Sequence, residues 1–400
     1  MDPQQTRSLI ERYLNAFNAR DFDTLVGLYA ADATVEDPVG SAPHRGLKDI
    51  RAFYEQFRTQ KSSLHRVGEV RAAGSAAAFS FIVVMGESAN SQIVEVTDTF
   101  AFDAVGKIEE MRAFWGPGNV HDVNSMSREL RRCLPLPMAG RVALVTGGGS
   151  GMGQATAVEF ARKGARVVVA GRREAACRET VQKVREIGGQ CIAVPTDVTI
   201  ETQVEGLVAA TLEEYGRLDF VSNSAGWAHE PMFLIDTSLE QYEAVLATNA
   251  RAIFLCMKYQ IRAMLESGRG GAIVNVTSDA AFGGLSLYSD YSAAKHAAAG
   301  LTRSAALEYA GDGIRINSLA PGPILTPMLN SADADALGPM VPAGRVGTPQ
   351  EIANAVVWLC SDEASFTYGQ TLQVDGGLGG VSCVAQGIPV PLRTRRAQQC

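Results

Sequence analysis

The feature that most constrains the fold of this 400-residue chain is the glycine-rich stretch Thr146–Gly153, which reads TGGGSGMG. It follows the apolar run VALV and precedes a helical pattern over Gln154–Arg162. A glycine-rich turn between a strand and a helix lets the main chain approach a pyrophosphate, and the helix N-terminus directs unpaired N–H groups at the negative charge. Gly147, Gly151 and Gly153 are the positions where a side chain would interfere. The stretch predicts a dinucleotide site; the alternative is a turn that is merely rich in glycine, since 40 of the 400 residues are glycine.

Composition narrows the classes of protein and partner. With 46% hydrophobic residues, a chain of this length can form two or three domains. A net charge of −7 without a long basic run argues against a nucleic-acid partner, and no apolar run reaches the roughly 20 residues of a membrane span. The five histidines are widely spaced and predict no metal site. Seven scattered cysteines without a CxxC pair indicate a reducing environment, so we expect a cytoplasmic protein.

Residues 1–120 are predicted to form an α+β domain. Two helical patterns occupy residues 5–30, and a short strand, Ala33–Gly40, and a third helix, Leu47–Phe57, follow them. Because helices come first and strands come last, we expect an α+β fold in which a curved antiparallel sheet wraps around the helices. The strand-like runs are Leu64–Arg71, Ala76–Met85, Gln92–Phe102 and Ile108–Trp115.

The rest of the chain has a different order of predicted helices and strands. Residues 121–138 contain three arginines and the segment LPLPM, which predicts an exposed linker. Over residues 139–378 strands alternate with helices, which predicts a doubly wound Rossmann-type parallel sheet. Residues 379–400 lack periodicity and are predicted to be a disordered tail. The expected parallel strands are Val142–Val145, Val167–Ala170, Cys191–Val194, Phe220–Ser222, Ala272–Val276, Arg315–Leu319 and Leu372–Val374.

Two arginines bear on the choice of coenzyme. Arg172 and Arg173 follow the second predicted strand of the parallel sheet, where an acidic residue would bind a ribose 2′-hydroxyl. Arginine accommodates a 2′-phosphate instead. The alternative is that both arginines begin a solvated helix. The pattern favours NADP and does not exclude NAD.

The segment Tyr291-Ser-Ala-Ala-Lys295 places a phenol and an ammonium on one helix face. Nearby positive charge stabilises a phenolate, so Tyr291 could act as a base below its ordinary pKa of about 10. Ser278 lies thirteen residues earlier at the end of a predicted strand, where its hydroxyl could polarise a substrate oxygen. Each residue alone could be a solvent-facing or turn residue, but the combination favours redox catalysis on an alcohol or a ketone.

These segments together resemble the short-chain dehydrogenase/reductase family across residues 139–378. The resemblance implies that Tyr291 is the acid/base and that Ser278 binds the reacting oxygen. It further implies that Lys295 holds the nicotinamide ribose and lowers the pKa of Tyr291, and that Asn249 keeps a water-linked proton path. The matching segments are TGGGSGMG (146–153), Asp197-Val198, NSAG (223–226), Asn249, Ser278, Tyr291 with Lys295, Pro321-Gly322 with Thr326, and VDGG (374–377).

The same resemblance implies a coenzyme site. Asp197 would meet the adenine and Thr326 the nicotinamide amide. Ser224 departs from the family, which usually has a second Asn there. The complete predicted set, besides Tyr291 and Lys295, is Thr146, Gly147, Ser150, Gly151, Met152, Gly153, Arg172, Arg173, Asp197, Val198, Asn223, Ala225, Gly226, Pro321, Gly322 and Thr326.

Three residues of the N-terminal third are candidates for a second site: Tyr13, Asp37 and Asp98. Asp98 shares one strand face with four apolar residues, Val94, Val96, Phe100 and Phe102, by the period of two. A carboxyl group buried among them is driven toward its neutral form and can donate a hydrogen bond. The alternative is an edge-strand Asp98 facing water, an Asp37 that caps a turn, and a Tyr13 in the core.

Five segments of the N-terminal third carry a family resemblance together with these candidates: ERYLNAFNARD (11–21), LYAADATVEDPVGS (28–41), AFYEQF (52–57), VTDTFAF (96–102) and MRAFW (111–115). On these segments residues 5–120 resemble bacterial ketosteroid isomerase, which implies a cone-shaped fold of helices on a sheet. The resemblance implies that Asp37 is the general base and that Tyr13 and Asp98 donate to the oxyanion. Tyr29 and Tyr54 would extend the hydrogen-bond network behind Tyr13, and Trp115 would form part of the pocket wall.

Two sites on one chain suggest consecutive reactions on a steroid or steroid-like small molecule. The leading hypothesis is a 3-hydroxy-5-ene steroid dehydrogenase joined to a Δ5–Δ4 3-ketosteroid isomerase. The alternative is an NADPH-dependent reductase of a steroid or polycyclic ketone whose N-terminal cone only binds a ligand or forms a dimer. Both resembled families commonly form dimers or tetramers, so we expect a homo-oligomer.

Overall fold

In the computed structural model the chain divides into two compact units, residues 1–135 and 136–400. The structure describes residues 2–86, 92–122, 136–327, 329 and 331–380. The predicted linker lies largely outside the described residues, at 123–135, and so does the predicted tail from residue 381 onward. At the start of that linker, Val120–Asp122 already forms a strand in the first unit.

Within its described residues, the first unit packs three helices against a seven-stranded sheet, with one hydrophobic core between them. The helices are α1 (Pro3–Asn18), α2 (Phe22–Val26) and α3 (Gly46–Glu55). The strands are β1 (Tyr29–Glu36), β2 (His44–Arg45), β3 (Ser62–Ala73), β4 (Ala76–Met85), β5 (Gln92–Phe102), β6 (Ile108–Phe114) and β7 (Val120–Asp122). Their order is β2-β1-β6-β5-β4-β3, with β7 beside β5.

The predicted α+β class is confirmed, and two details differ. The second helix was predicted to include Tyr29, but it ends at Val26 with Gly27 as its C-cap, and Tyr29 instead begins β1. The reason is strand pairing: β1 runs parallel to β6, whereas the other neighbouring strands of this sheet are antiparallel. The strand β1 also ends at Glu36 rather than Gly40, which leaves Asp37 just beyond it.

The second unit is the predicted parallel sheet with helices on both faces. All seven predicted strands are present as β8 (Val142–Thr146), β9 (Arg166–Gly171), β10 (Cys191–Pro195), β11 (Phe220–Asn223), β12 (Gly271–Val276), β13 (Ile314–Pro321) and β14 (Thr371–Val374). The helices are α4 (Gly151–Arg162), α5 (Glu174–Glu186), α6 (Glu201–Tyr215), α7 (Leu239–Leu246), α8 (Ala252–Ser267), α9 (Ser289–Tyr309), α10 (Ser331–Leu337) and α11 (Pro349–Cys360).

The strand order of this sheet fixes where a ligand can bind. The order is β10-β9-β8-β11-β12-β13-β14, and all neighbours are parallel. Two hydrophobic clusters, one on each face, bury the strands. Strand order reverses between β8 and β11, and in doubly wound sheets the crevice for a nucleotide opens at such a point, outside the carboxyl ends of the strands.

Three further observations concern the described residues alone. None of their helices is both long enough and apolar enough to cross a membrane. They contain no group of three or more His, Cys, Asp or Glu side chains that could hold a metal ion. The four cysteines among them, at positions 177, 191, 256 and 360, are buried and unpaired.

Candidate active sites

The glycine-rich turn between β8 and α4 is shaped to take a phosphate group. Gly147 has a φ of +66°, and a Cβ on it would lie 2.8 Å from the main chain of Ser224 and Ala225. A Cβ on Gly153 would overlap the carbonyl oxygen of Gly147. Ser150 occupies the N-cap of α4, but its side chain makes no capping hydrogen bond. The N–H groups of the first helical turn can therefore bind an anion.

Other predicted coenzyme residues surround this turn. The Arg173 guanidinium donates to Ser150 Oγ at 3.2 Å. A Cβ on Gly151 would lie 3.2 Å from Thr326 Cγ2, so Thr326 is adjacent to the turn, and Met152 packs against the core behind it. A cleft of about 530 Å³ lined by Ser150, Gly151 and Thr326, among others, opens here. The turn and the cleft beside it leave room for a dinucleotide pyrophosphate.

The ends of β10 and β13 add polar groups. Asp197 accepts hydrogen bonds from the main chain and hydroxyl of Thr199 at 2.9 and 2.7 Å. Burial opposes ionisation, but these bonds and the charge of Arg172 leave the pKa of Asp197 below its ordinary value. Pro321 ends β13, and a Cβ on Gly322 would lie 2.9 Å from Asp375, so this turn also has no room for a side chain.

The structure directs the side chains of some predicted coenzyme residues elsewhere. Asn223 is 1% exposed, and its amide donates to Gln260 Oε1 at 3.0 Å and to Asn275 Oδ1 at 2.9 Å. Val198 packs in the core, and the buried Thr146 hydroxyl accepts from the main chain of Ala225 at 3.4 Å. The side chains at 223 and 198 are therefore engaged within the protein, and the coenzyme-binding roles expected of these two residues stay predictions.

The residues predicted for redox catalysis converge beside β12. Tyr291 and Lys295 lie on one face of α9, with Lys295 Nζ 5.4 Å from the centre of the tyrosine ring. Ser278 follows the end of β12 and is in hydrogen-bond contact with the Tyr291 hydroxyl. The buried Lys295 ammonium donates to the carbonyl oxygen of Val276 at 3.1 Å. An acid/base, a hydroxyl that can hold an oxygen, and a cation thus lie at one strand end.

The structure does not show the expected lowering of the pKa of Tyr291. Burial raises that pKa to about 12, and the charge of Asp279 adds to the rise while the hydrogen bond with Ser278 opposes it. Burial also lowers the pKa of Lys295 to about 8. The physical reason is that desolvation disfavours both the phenolate and the ammonium.

Asn249 lies in a π-helical turn, Ala247–Arg251, between α7 and α8. Its amide donates to the carbonyl oxygen of Trp227 at 2.7 Å and accepts from the N–H of the same residue at 3.3 Å. A Cβ on Gly226 would lie 3.2 Å from Asn249 Oδ1 and 3.6 Å from Lys295 Nζ. Asn249 therefore sits next to the redox residues, and single π turns are frequent at functional sites.

In the first unit a buried chain of tyrosines links three elements. Tyr13 on α1 and Tyr54 on α3 have their hydroxyl oxygens 3.2 Å apart, and those of Tyr54 and Tyr29 are 2.7 Å apart. Burial raises the pKa of all three phenols well above the ordinary value. All three consequently stay protonated at neutral pH. If Tyr29 donates to Tyr54 and Tyr54 donates to Tyr13, the Tyr13 hydroxyl is left able to donate to a ligand.

The carboxyl group of Asp98 is completely buried. It is 0% exposed in β5, which lies between β4 and β6, where Asp98 pairs with Phe79 and Ala113. This placement rules out the alternative of an edge-strand residue facing water. Neither carboxyl oxygen has a hydrogen-bond partner among the described residues. Burial, and secondarily the charge of Asp37, raises the pKa of Asp98 well above its ordinary value.

Asp37 stands just beyond β1 and is held by Trp115, whose indole N–H donates to its Oδ1 at 2.6 Å. Burial raises the pKa of Asp37, and the hydrogen bond from Trp115 and the nearby His44 oppose the rise. The sequence assigned Trp115 to the pocket wall; the structure adds this hydrogen bond to the carboxylate. The charges of Asp98 and Asp37 add to the rise in the pKa of Tyr13, so both carboxyl groups lie within electrostatic range of this phenol.

The unpartnered Asp98 predicts a pH-dependent stability. Above its ordinary pKa of about 3.9 the unfolded chain releases the Asp98 proton while the folded chain keeps it, so folding loses stability as pH rises toward the raised pKa. We expect Asp98→Asn to be more stable than the native chain at pH 7.5, by a margin that nearly vanishes at pH 4. Urea unfolding at both pH values measures it. Asp32→Asn, an exposed carboxyl on β1, is the control, and a margin independent of pH would contradict the prediction.

A buried pair of polar side chains, which no sequence pattern indicated, lies beside the redox residues. His229 Nε2 lies 2.9 Å from both carboxylate oxygens of Asp290, and both side chains are buried. Asp290 directly precedes Tyr291 in the chain, but a charged residue at a helix start ordinarily faces water. Only the fold reveals that this one is buried.

Comparison with known proteins follows the same division into two parts. Residues 147–379 match the family model described as enoyl-(acyl carrier protein) reductase, and residues 10–111 match that of the SnoaL-like domain. The 2,5-dichloro-2,5-cyclohexadiene-1,4-diol dehydrogenase of Sphingobium indicum is 42% identical over 250 residues, which are 61% of this chain and 99% of the relative.

Other relatives cover a similar share of the chain. The cyclohexanol dehydrogenase of an Acinetobacter species is 39% identical over 59% of this chain and 94% of its own. The crystal structure of levodione reductase superposes with a TM-score of 0.60 at 35% identity, covering 61% of this chain and all of that one. The family model spans more than half of the chain, and the first relative is covered almost completely. The chain therefore belongs to the short-chain dehydrogenase/reductase family, as an oxidoreductase that also carries a SnoaL-like domain.

Proposed function

We propose that the second unit oxidises a ring alcohol, or reduces the corresponding ketone, with Tyr291 as the acid/base. The observation that supports this most is the convergence of Tyr291, Ser278 and Lys295 at the end of β12. The names of two relatives, a cyclohexanol dehydrogenase and a cyclohexadienediol dehydrogenase, favour a six-membered ring as the substrate.

The roles of the residues follow from their chemistry. Bound NAD(P)⁺ supplies the acceptor for the hydride that leaves the carbinol carbon. Ser278 holds the substrate oxygen by a hydrogen bond, and Tyr291 takes the hydroxyl proton as the carbonyl forms. The Lys295 ammonium, 5.4 Å from the centre of the ring, would stabilise the negative charge that develops on the phenol oxygen as the proton is transferred. In the reverse direction Tyr291 returns the proton to the oxygen.

We propose NADP as the preferred coenzyme. Arg172 and Arg173 are exposed after β9, and Arg173 reaches Ser150 in the glycine-rich turn, so their guanidinium groups can bind a 2′-phosphate with charge-assisted hydrogen bonds. No acidic residue occupies the end of this strand to receive a 2′-hydroxyl.

The coenzyme preference can be tested by substitution. Because a hydrogen bond to a charged group contributes about 1.5–3 kcal/mol, Arg173→Ala should weaken NADPH binding by roughly 10- to 100-fold and leave NADH binding unchanged. Titration of nicotinamide fluorescence measures both affinities. Arg178→Ala is the matched control, since Arg178 lies on α5 and pairs with Glu174 in solvent. Equal losses for the two coenzymes would contradict the assignment.

We further propose that the first unit isomerises an enone precursor. Asp37 would remove the proton between the ketone and the double bond, and Tyr13 and neutral Asp98 would donate to the dienolate oxygen. Asp37 would then return the proton two carbons away, so that no net proton or electron is exchanged. The fully buried, unpartnered carboxyl of Asp98 carries this proposal, because such a group lacks an acceptor unless an oxygen atom binds beside it. Each oxyanion donor contributes about 3–4 kcal/mol in such sites.

The two proposals combine into one substrate class. A 3-hydroxy-5-ene steroid would be oxidised at C3 by the second unit, and the resulting 5-ene-3-ketone would be conjugated by the first. Conjugation makes the second step favourable and so draws the first oxidation forward. A homo-oligomer in the cytoplasm stays a prediction from the sequence.

A second candidate function is favoured by the same arginines. NADP pools generally favour reduction, so the redox unit could reduce a steroid or polycyclic ketone while the SnoaL-like domain only binds a ligand or forms a dimer. A screen of the whole chain separates the two. With 3β-hydroxy-5-ene steroids and NADP⁺, formation of the conjugated enone supports the combined function. Reduction of ring ketones by NADPH without any isomerisation of a 5-ene-3-ketone supports the alternative.

A further inference from the structure

The ion pair between His229 and Asp290 lies outside the residues assigned to catalysis. His229 is 8% exposed and Asp290 is 3% exposed. The imidazole Nε2 lies 2.9 Å from each oxygen of the carboxylate. Buried charged groups are rare unless they are paired, and removing one partner is strongly destabilising, so such a pair requires a reason.

Both ring nitrogens of His229 face hydrogen-bond acceptors. Nδ1 lies 2.5 Å from the carbonyl oxygen of Glu230, and Nε2 faces the Asp290 carboxylate. A neutral imidazole has one N–H, so one of these contacts would set two lone pairs against each other. Only the imidazolium donates to both acceptors. The hydrogen bond to the Glu230 carbonyl, followed by the bond to Asp290 and its charge, raises the pKa of His229 although burial opposes the rise.

The same carboxylate also fixes the main chain at Tyr291. Asp290 Oδ1 accepts from the Tyr291 N–H at 2.8 Å, in the first turn of α9. His229 belongs to the segment after β11, three residues beyond Gly226. The pair therefore connects the loop that borders Asn249 with the helix turn that presents the phenol.

Aromatic contacts run along the same path. The His229 ring stacks on Tyr288 at 5.7 Å between ring centres, and Tyr288 meets the Tyr291 ring edge to face at 6.5 Å. On the other side His229 contacts the edge of Trp227 at 6.4 Å, and the main chain of Trp227 is held by Asn249. Asn249 and Tyr291 are thus joined through His229 by direct contacts.

We propose that His229 is a positioning residue of the redox site, which as an imidazolium clamps the loop after β11 to the helix turn that carries Tyr291. It acts on the site through its contacts with Asp290, Tyr288 and Trp227. The inference rests on the proposed role of Tyr291 as the acid/base. The ionisable groups around the ring are Asp290 and Tyr291 on α9 and Tyr288 before it, while Glu230 contributes through its main chain.

The first test measures kcat, KM and coenzyme affinity in the whole chain, with a 3β-hydroxy-5-ene steroid and with cyclohexanol. We expect His229→Gln, which cannot donate to both acceptors, to lower kcat at least tenfold without changing NADPH affinity. The double variant His229→Gln/Asp290→Asn removes the uncompensated carboxylate and should be faster than His229→Gln alone. His296→Gln is the control, because this exposed ring on α9 contacts only the Ser292 carbonyl among the described residues.

The pH profile separates positioning from simple packing. In Asp290→Asn the His229 ring keeps its bond to the Glu230 carbonyl but loses its counter-charge, so its pKa should fall below that in the native chain. Turnover of this variant should then decline as pH rises through the lowered pKa, because the neutral ring loses one of its two contacts. This decline should be absent from the native chain and from the double variant. An identical profile in all three would overturn the proposal.

A measurement independent of activity keeps the inference separate from the proposed function. Nitrogen-15 NMR of the histidine rings at pH 7.5, assigned by substituting the histidines one at a time, reports how many protons each ring carries. His229 should be doubly protonated in the native chain, whether or not a substrate has been identified. A neutral His229 ring at this pH would overturn the proposal even if Tyr291 proves to be the acid/base.

Discussion

Replacing Tyr291 with Phe is expected to abolish turnover of NADP⁺ and NADPH while leaving coenzyme binding intact. The substitution removes only the hydroxyl that exchanges a proton with the substrate, and general acid–base catalysis contributes about 10²–10⁴-fold to rate. The ring itself, which contacts Tyr288 and lies beside Lys295, is retained. We therefore expect kcat to fall by about a thousandfold.

The measurement follows nicotinamide absorbance in steady state and nicotinamide fluorescence at equilibrium. Tyr309→Phe is a matched control, since Tyr309 ends the same helix 18 residues away. The isomerase rate of Tyr291→Phe, followed from a 5-ene-3-ketone without coenzyme, should equal that of the native chain. A parallel loss of both activities would refute the model of two separate sites.

Replacing Asp37 with Asn should have an equally large effect on the other unit. Asp37 is the only group proposed to move the substrate proton, and an amide cannot accept that proton. Appearance of the conjugated enone from a 5-ene-3-ketone, without any nicotinamide, should slow by about a thousandfold or more. The hydrogen bond from Trp115 can persist to the amide oxygen, so the fold should be kept.

Asp32→Asn provides the comparison for this variant, since it removes an exposed carboxylate from β1 five residues earlier. It should isomerise at the native rate. If the correctly folded native chain forms no conjugated enone from a 5-ene-3-ketone, the first unit is not a ketosteroid isomerase. That result would support the alternative in which it only binds a ligand or forms a dimer. If Asp37→Asn retains the native rate, another group moves the proton.

Much of the fold could be predicted from local patterns. The seven parallel strands of the second unit were found because each is a short apolar run between helical repeats. Asp98 was placed in an apolar face because its neighbours alternate with a period of two, and the structure buries that face. Gly147 and Gly153 were recognised because tight turns at phosphate sites have no room for side chains.

The failures share a physical origin in contacts between distant segments. Tyr29 was predicted to be helical, and strand pairing with β6 made it extended. The pKa of Tyr291 was expected to fall, but burial, which spacing does not report, raises it to about 12. The side-chain contacts of Asn223 and His229 were not predicted at all, because they are with Gln260, Asn275 and Asp290, which are 37 or more residues away in the chain.

The buried carboxyl group of Asp98, which has no hydrogen-bond partner among the described residues, has a consequence for the evolution of the first unit. A valine or leucine at position 98 would make the folded state more stable at neutral pH, since no carboxyl group would have to be protonated to be buried. Random substitution would therefore replace the acid over time in any lineage that did not use it. Homologues of this domain should therefore differ at this position according to function. Those that only bind a ligand should have an apolar residue there, and those that contact a substrate oxygen should have an acid.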